Sequence, residues 1–366
     1  DAFSYFISNT ETETNRIEFV LSLAARDIDS EGILENDKLK IFLQFNRLLN
    51  ANNENDESTD VIQEWLKVKQ CFMTLEEWFN DRALFHLIGY LISQDVPIET
   101  LFDLSQTSDT KYVFRQSLIE LIFKKSLLHQ DYSSLSKDWI DEKLSVLTYD
   151  SGAKRLRSIL LLFNIASLLA NPVTNARFQF EKYKTDKWDI EHIRSVASEI
   201  PNGKEKQKAW LKNVIDYISD DPSVESEEKT SDEINTENNL RKDAITLMNS
   251  ASFDNDQFES IYEQTIAMYD PKSDEDVDNS IGNLTLLDSS TNRSYQNAVF
   301  PIKRSRIIAL DKEATFVPLC TKNAFLKYYS KHVDKMLFWE SKDSQDHQQA
   351  MGEVLFGFFS GKGVHQ

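Results

Sequence analysis

The sequence predicts a mainly helical protein with two domains, on three observations. Only 9 Gly and 7 Pro interrupt 366 residues, too few turn signals for a many-stranded sandwich or barrel. The apolar fraction is 40%, with 23 Phe, 12 Tyr and 6 Trp, which argues for folded cores rather than disorder. Apolar residues also recur at helical spacing through most of the chain. The length suffices for two separate cores. A helical domain is expected over 1–148 and a second domain over 149–366.

In the first domain, Arg16 to Ala25, Val61 to Phe72 and Ala83 to Ile92 carry amphipathic helical patterns. Ser4–Thr14 and Leu49–Asp60 are polar and rich in Asn, Asp and Ser, as loops are. The aromatic stripe of Trp65, Phe72, Trp78, Phe79, Phe85 and Tyr90 is expected to be core. The second domain opens near Tyr149-Asp-Ser-Gly152, followed by a strongly apolar helix over Ala153–Ala170 that Asn171-Pro172 ends. Phe178 to Ile193 mixes aromatic and β-branched residues with polar ones, which predicts extended strands. Helices are expected over Glu205–Ile218, Asn238–Met248 and Gln257–Tyr269, with a polar, acidic loop over Ser219–Asn235. Ser280–Leu287 reads as a short strand entered through Gly282. Helical patterns over Asn297–Ile307 and Thr321–Phe338 close the chain.

The net charge of −19 argues by itself against a nucleic-acid partner. The acid is concentrated, however, in a helical insertion at about 199–280, and the segments around it turn basic. They include Arg157 and Arg194 on one side and Arg293, Lys303, Arg304, Arg306 and Lys327 on the other. Such a surface is compatible with a phosphate backbone. Cys71 and Cys320 fit neither a zinc-finger spacing nor a disulfide framework, so a reducing cytoplasm is the default. The longest apolar run, Ser158–Ala170, is too short to span a bilayer and is interrupted by Asn164. No membrane partner is expected. The chain begins with Asp1, and a missing upstream portion is expected.

The residues that carry chemistry lie in two segments, Trp188-Asp-Ile-Glu-His-Ile193 and Ile281-Gly-Asn-Leu-Thr-Leu-Leu-Asp-Ser-Ser-Thr-Asn292. Hydrolysing a phosphodiester needs an activated water and a cation to neutralise charge at the scissile phosphate. Imidazole suits the base, since its ordinary pKa lies near neutrality. Carboxylate and amide oxygens are hard ligands suited to Mg²⁺ or Mn²⁺. Glu191, His192, Asn283 and Asn292 supply these groups in a strand, strand, helix order. Asp189 shares a strand face with Glu191 and is either a spare ligand or a solvated carboxylate.

Glu-His-Ile, then Ile-Gly-Asn-Leu-Thr-Leu-Leu and a further Asn, resembles the His-Me finger domain of GmrSD-type modification-dependent restriction endonucleases. It is also similar to the HNH domain of RNA-guided nucleases. Phe316 to Tyr329 adds to the likeness, which reaches from about 149 to the end. The resemblance implies a ββα-metal (HNH) motif embedded in the mainly α fold and a prokaryotic, cytoplasmic enzyme that restricts foreign or modified DNA with Mg²⁺ or Mn²⁺. It gives Glu191 and Asn292 the metal, His192 the base, and Asn283 a bracing place in the catalytic loop. Asn297 and Lys303 fall where the family often has further Asn and Lys residues. Arg293, Asn297, Lys303 and Arg304 are expected to contact phosphate or DNA, with a solvated basic helix the alternative for Lys303 and Arg304. Trp65 to Tyr90 resembles the helical part that follows a ParB-like NTPase domain in fused family members. That domain's Asp-Gly-Gln-Gln-Arg motif does not occur here. The sequence departs from the family in reading Arg194-Ser195 where many members have a proline, and in carrying Glu191 where Asp is commoner.

Other readings stand beside these. His192 alone is compatible with a satisfied structural histidine, and Asn283 and Asn292 singly with turn and cap residues. A catalytically degenerate module that binds nucleic acid or protein is the alternative function, and RNA is an alternative substrate. Cys320 reads as a small buried hydrophobe. His86, His129, His332 and His347 have no partner pattern.

Overall fold

The computed structural model describes residues 16–51, 61–126, 132–194, 200–219, 230–270, 278–295, 298–331 and 336–361. It is mainly helical, with a single two-stranded sheet among the described residues. The chain forms two compact units, residues 1–125 with 175–185, and residues 126–174 with 186–366. The division thus falls at 125 rather than at 148. The reason is local: the helix Lys137–Ser145 packs on the last helix of the second unit, and Thr148 bridges Ser280.

The first unit contains α1 (Arg16–Ala25), α2 (Lys40–Ala51), α3 (Val61–Asn80), α4 (Arg82–Ser93), α5 (Ile98–Gln106) and α6 (Lys111–Ser126). Asp81 starts α4 by accepting from the N–H groups of Ala83 and Leu84. Every residue from Leu84 to Leu91 is buried, so α4 is the central helix of this unit. Trp78, Phe85 and Tyr90 join the core as expected, but Trp65 and Phe72 on α3 are exposed.

The second unit contains α7 (Lys137–Ser145), α8 (Ala153–Ala170) and, after the first-unit helix α9 (Phe180–Thr185), β1 (Trp188–His192). The extended reading of Phe178–Ile193 therefore holds only for its last third. Phe178 and Phe180 are buried at the lead-in to α9 and at its first residue rather than alternating along a strand. Three helices follow, α10 (Lys204–Ser219), α11 (Ser231–Met248) and α12 (Asn255–Tyr269). A capping box between Thr230 and Glu233 starts α11 earlier than its apolar pattern does, within the stretch expected to be a loop. The most acidic stretches, 220–229 and 271–277, lie outside the described residues.

A 3-10 turn over Ile281–Asn283 leads into β2 (Leu284–Asp288), and then α13 (Ser289–Tyr295), α14 (Phe300–Lys312), α15 (Leu319–Phe325) and α16 (Ser341–Phe359). The helix expected over Thr321–Phe338 is shorter than its pattern, and α16 was not anticipated. β1 and β2 pair antiparallel, with Trp188 opposite Asp288 and His192 opposite Leu284. α8 packs on both strands, α15 and α16. Its buried Asn164 donates to Leu160 O at 2.9 Å and accepts from the Cys320 N–H at 2.8 Å, so the polar break in the apolar run holds the start of α15. Gly282 is required by packing: a Cβ there would lie 2.2 Å from the backbone oxygen of Ser344 on α16.

Among the described residues, two histidines outside the site, one per unit, are buried. In the first unit, His86 donates from Nδ1 to Arg82 O at 2.7 Å and accepts at Nε2 from the Phe178 N–H at 3.0 Å, so a second proton would meet a donor. In the second, His347 donates from Nδ1 to Gly282 O at 2.8 Å, and its buried Nε2 has no partner among the described residues. Burial, foremost, lowers both pKa values to about 4. The unfolded chain titrates near 6.5, so between about 6.5 and 4 it binds more protons than the native state and stability falls as pH falls. Each contributes up to about 3 kcal/mol, fully present above 6.5. Melting temperature is expected to drop across this window, and His347→Gln to remove part of the slope. A flat profile from pH 7 to 4.5 would contradict this.

Candidate active site

β1 ends on Glu191 and His192, and each has partners that fix it. Glu191 is buried on the pleat and ion-paired through Oε1 with Lys303 of α14. The same ammonium donates to the backbone oxygen of His192 at 2.6 Å. Lys303 is only 1% exposed, so it fastens α14 to the end of β1 and does not reach solvent. Its expected phosphate contact is thereby corrected, because a buried ammonium needs a buried counter-charge and Glu191 is that charge.

The His192 ring is half-buried. Its Nε2 lies 3.0 Å from Asn279 Oδ1, and the ring of Tyr149 sits 4.7 Å away at 39°. Burial is the main reason the imidazole pKa is lowered. The Asn279 hydrogen bond acts against burial, the Lys303 charge acts with it, and Glu191 and Asp278 oppose it. The ring is thus held toward its neutral form.

Asn283 clasps the turn beyond His192. Its Oδ1 accepts from the Arg194 N–H at 2.9 Å, and its Nδ2 donates to Arg194 O at 3.1 Å and Asp278 O at 2.8 Å. Its own carbonyl accepts from the Ile193 N–H at 2.8 Å. Both of its side-chain polar atoms are thus engaged by backbone at 1% exposure, so this residue braces the loop and offers nothing to a reacting atom. Arg194 pairs with Asp270 at the end of α12 at 3.0 Å. Ser195 lies outside the described residues.

Asn292 is half-buried on α13, which packs on both strands. Asp288 starts that helix by accepting from the N–H groups of Ser290 and Thr291. Burial would raise its carboxyl pKa, but the hydrogen bonds from Ser290 and Thr291 outweigh it and hold the value low. The Ser289 N–H bonds Lys187 O at 2.8 Å, so α13 sets out from the rung of the ladder farthest from His192. At about 3.3 Å per residue that rung lies about 13 Å along the strand. No hydrogen bond joins Asn292 to Glu191 or His192 among the described residues.

Arg304 is half-buried on α14. The side chain of Arg293 and the whole of Asn297 lie outside the described residues. Four basic residues counted toward a phosphate-binding surface are spent inside the fold: Arg157 on Trp188 O, Arg194 on Asp270, Lys303 on Glu191 and Lys327 on Asp343. Sequence reasoning missed Asn279 and Tyr149, which touch His192. Neither belongs to a motif; only their flanking of the two chemistry-bearing segments could have pointed to them.

Among the described residues, no three His, Cys, Asp or Glu side chains come together as a metal-binding group. The available donors, the second carboxylate oxygen of Glu191 and the amide oxygen of Asn292, fit a hard divalent cation in kind.

Fold and site together define a class: a helical unit framing an acid–histidine pair at the end of a two-stranded ladder, with a helix directly after the second strand. Residues 198–354 match the family model for the C-terminal domain of GmrSD restriction endonucleases. The match begins just past His192 and contains β2, Asn283, Asn292 and Lys303. β1 joins it through the ladder and the Lys303 contacts. The family is one of restriction endonucleases, whose substrate is DNA. No curated protein and no solved structure matches the chain. No described helix is long and apolar enough to cross a membrane.

Proposed function

We propose that the chain is a metal-dependent DNA endonuclease of HNH type, the nuclease effector of a prokaryotic restriction system against foreign or modified DNA. The observation that carries this reading is the Glu191–His192 pair, which a buried lysine from the GmrSD-type segment holds at the strand end. Glu191 and Asn292 would hold Mg²⁺ or Mn²⁺, which when bound supplies positive charge at the scissile phosphate. His192, kept neutral by burial, takes the proton of the attacking water. Lys303 fixes Glu191 and the His192 backbone, and Asn283 fixes the turn that follows, so neither group must reorganise during attack. An upstream ParB-like NTPase domain is the partner this reading implies.

A second reading, a catalytically silent module that binds nucleic acid or protein, draws on one feature: Lys303 already neutralises Glu191. Metal titration separates the two. Glu191→Gln retains an acceptor for Lys303, and Asn292→Ala removes an amide. Each is expected to raise the Mg²⁺ or Mn²⁺ needed for half-maximal nicking of supercoiled plasmid by at least about tenfold. An unchanged metal requirement would remove both from the ligand set.

A further inference from the structure

We propose that Asn279 is a positioning residue that fixes the tautomer of His192, so that Nδ1 is the nitrogen that accepts the proton. The catalytic consequence rests on the nuclease reading; the tautomer does not. Asn279 presents Oδ1 to Nε2 at 3.0 Å, and a carbonyl oxygen only accepts. The Nε2 atom therefore carries the hydrogen, and the lone pair of the neutral ring sits on Nδ1. No hydrogen bond engages Nδ1 among the described residues.

The frame that holds Asn279 is tied at several points. Its backbone oxygen accepts from the Tyr149 N–H at 2.8 Å, and the Ile281 N–H donates to Leu147 O at 3.0 Å. Thr148 and Ser280 form a bridge between these two contacts. On the other side, Asp278 O is held by Asn283 Nδ2 at 2.8 Å. The segment that carries Asn279 is thus pinned both to the loop before α8 and to the turn after His192. Tyr149, from that same loop, limits rotation of the imidazole by lying against its ring. This is how an outer partner orients a catalytic histidine: its hydrogen bond on one ring nitrogen decides what the other can do.

The test uses the full chain labelled with ¹⁵N-histidine, with the His192 signals identified by their loss in His192→Gln. Two-bond N–H correlation is expected to show a protonated Nε2 and a bare Nδ1 in the wild type and in Asn279→Asp, which keeps the acceptor. Asn279→Ala is expected to mix the tautomers and to lower kcat for plasmid nicking by about tenfold or more with KM unchanged, whereas Asn279→Asp retains activity. A protonated Nδ1 in the wild type, or an Asn279→Ala spectrum identical to wild type, would overturn the assignment. If the tautomers behave as stated while wild-type protein nicks no DNA, the nuclease reading fails and the positioning of His192 by Asn279 stands.

Discussion

His192→Ala is expected to lower the single-turnover rate of DNA cleavage by about 10²–10⁴, the usual cost of losing a general base. The fold should survive, because the buried contacts at this position are made by its backbone. Lys303 Nζ binds the His192 carbonyl, and the ladder pairs the residue with Leu284, whatever the side chain. Among the described residues the ring is held by Asn279 and Tyr149, at a half-buried surface. Loss of rate with an unchanged melting temperature therefore separates chemistry from structure. Cleavage at the wild-type rate by folded His192→Ala would remove the histidine from the mechanism.

The second large effect falls on Lys303, in stability as well as activity. Its ammonium is 1% exposed and shared between the Glu191 carboxylate and the His192 carbonyl. Lys303→Met preserves the length of the side chain but strands a buried carboxylate, which costs about 3–5 kcal/mol when one partner of a buried pair is removed. For a unit of this size, a loss on the order of 10 °C in melting temperature follows. Adding Glu191→Leu to Lys303→Met should recover much of that loss, because an apolar pair replaces an unpaired charge. Cleavage should be absent in both. A single variant as stable as wild type would contradict the buried pairing.

The pairing shows where sequence reasoning reaches and where it stops. The helices around Leu84–Leu91 and Ala153–Ala170 are legible because their patterns and their breakers, Asp81 and Asn171-Pro172, are local. The order of Glu191, His192, Asn283 and Asn292 is legible because each lies in one of two short segments. Lys303 is visible as a basic residue on a helix, but burial against Glu191 is a contact across 112 positions that no local pattern encodes. Asn279 reads as loop because it ends an acidic stretch, and its role exists only once Tyr149 and His192 are brought beside it.

The last helix escaped for a different reason. Its first half is polar, and three of the residues it buries are Asp343, Ser344 and His347, which bond to Lys327, Trp339 and the Gly282 carbonyl. Only the second half, with Met351, Leu355 and Phe358, carries an apolar stripe; the first half puts polar groups inward and has none to read. Phe178 and Phe180 mislead in the opposite sense: alternating aromatics imitate a strand, while Phe180 packs on Phe85 and on Phe178 at the start of α9.

The most direct measurement is the fate of supercoiled plasmid incubated with the folded wild-type chain in Mg²⁺ or Mn²⁺, with and without EDTA. An HNH-type site built on Glu191, His192 and Asn292 predicts metal-dependent conversion to nicked or linear DNA, abolished by the chelator and by His192→Ala. Intact plasmid under both metals, or cleavage that persists in EDTA, would contradict it.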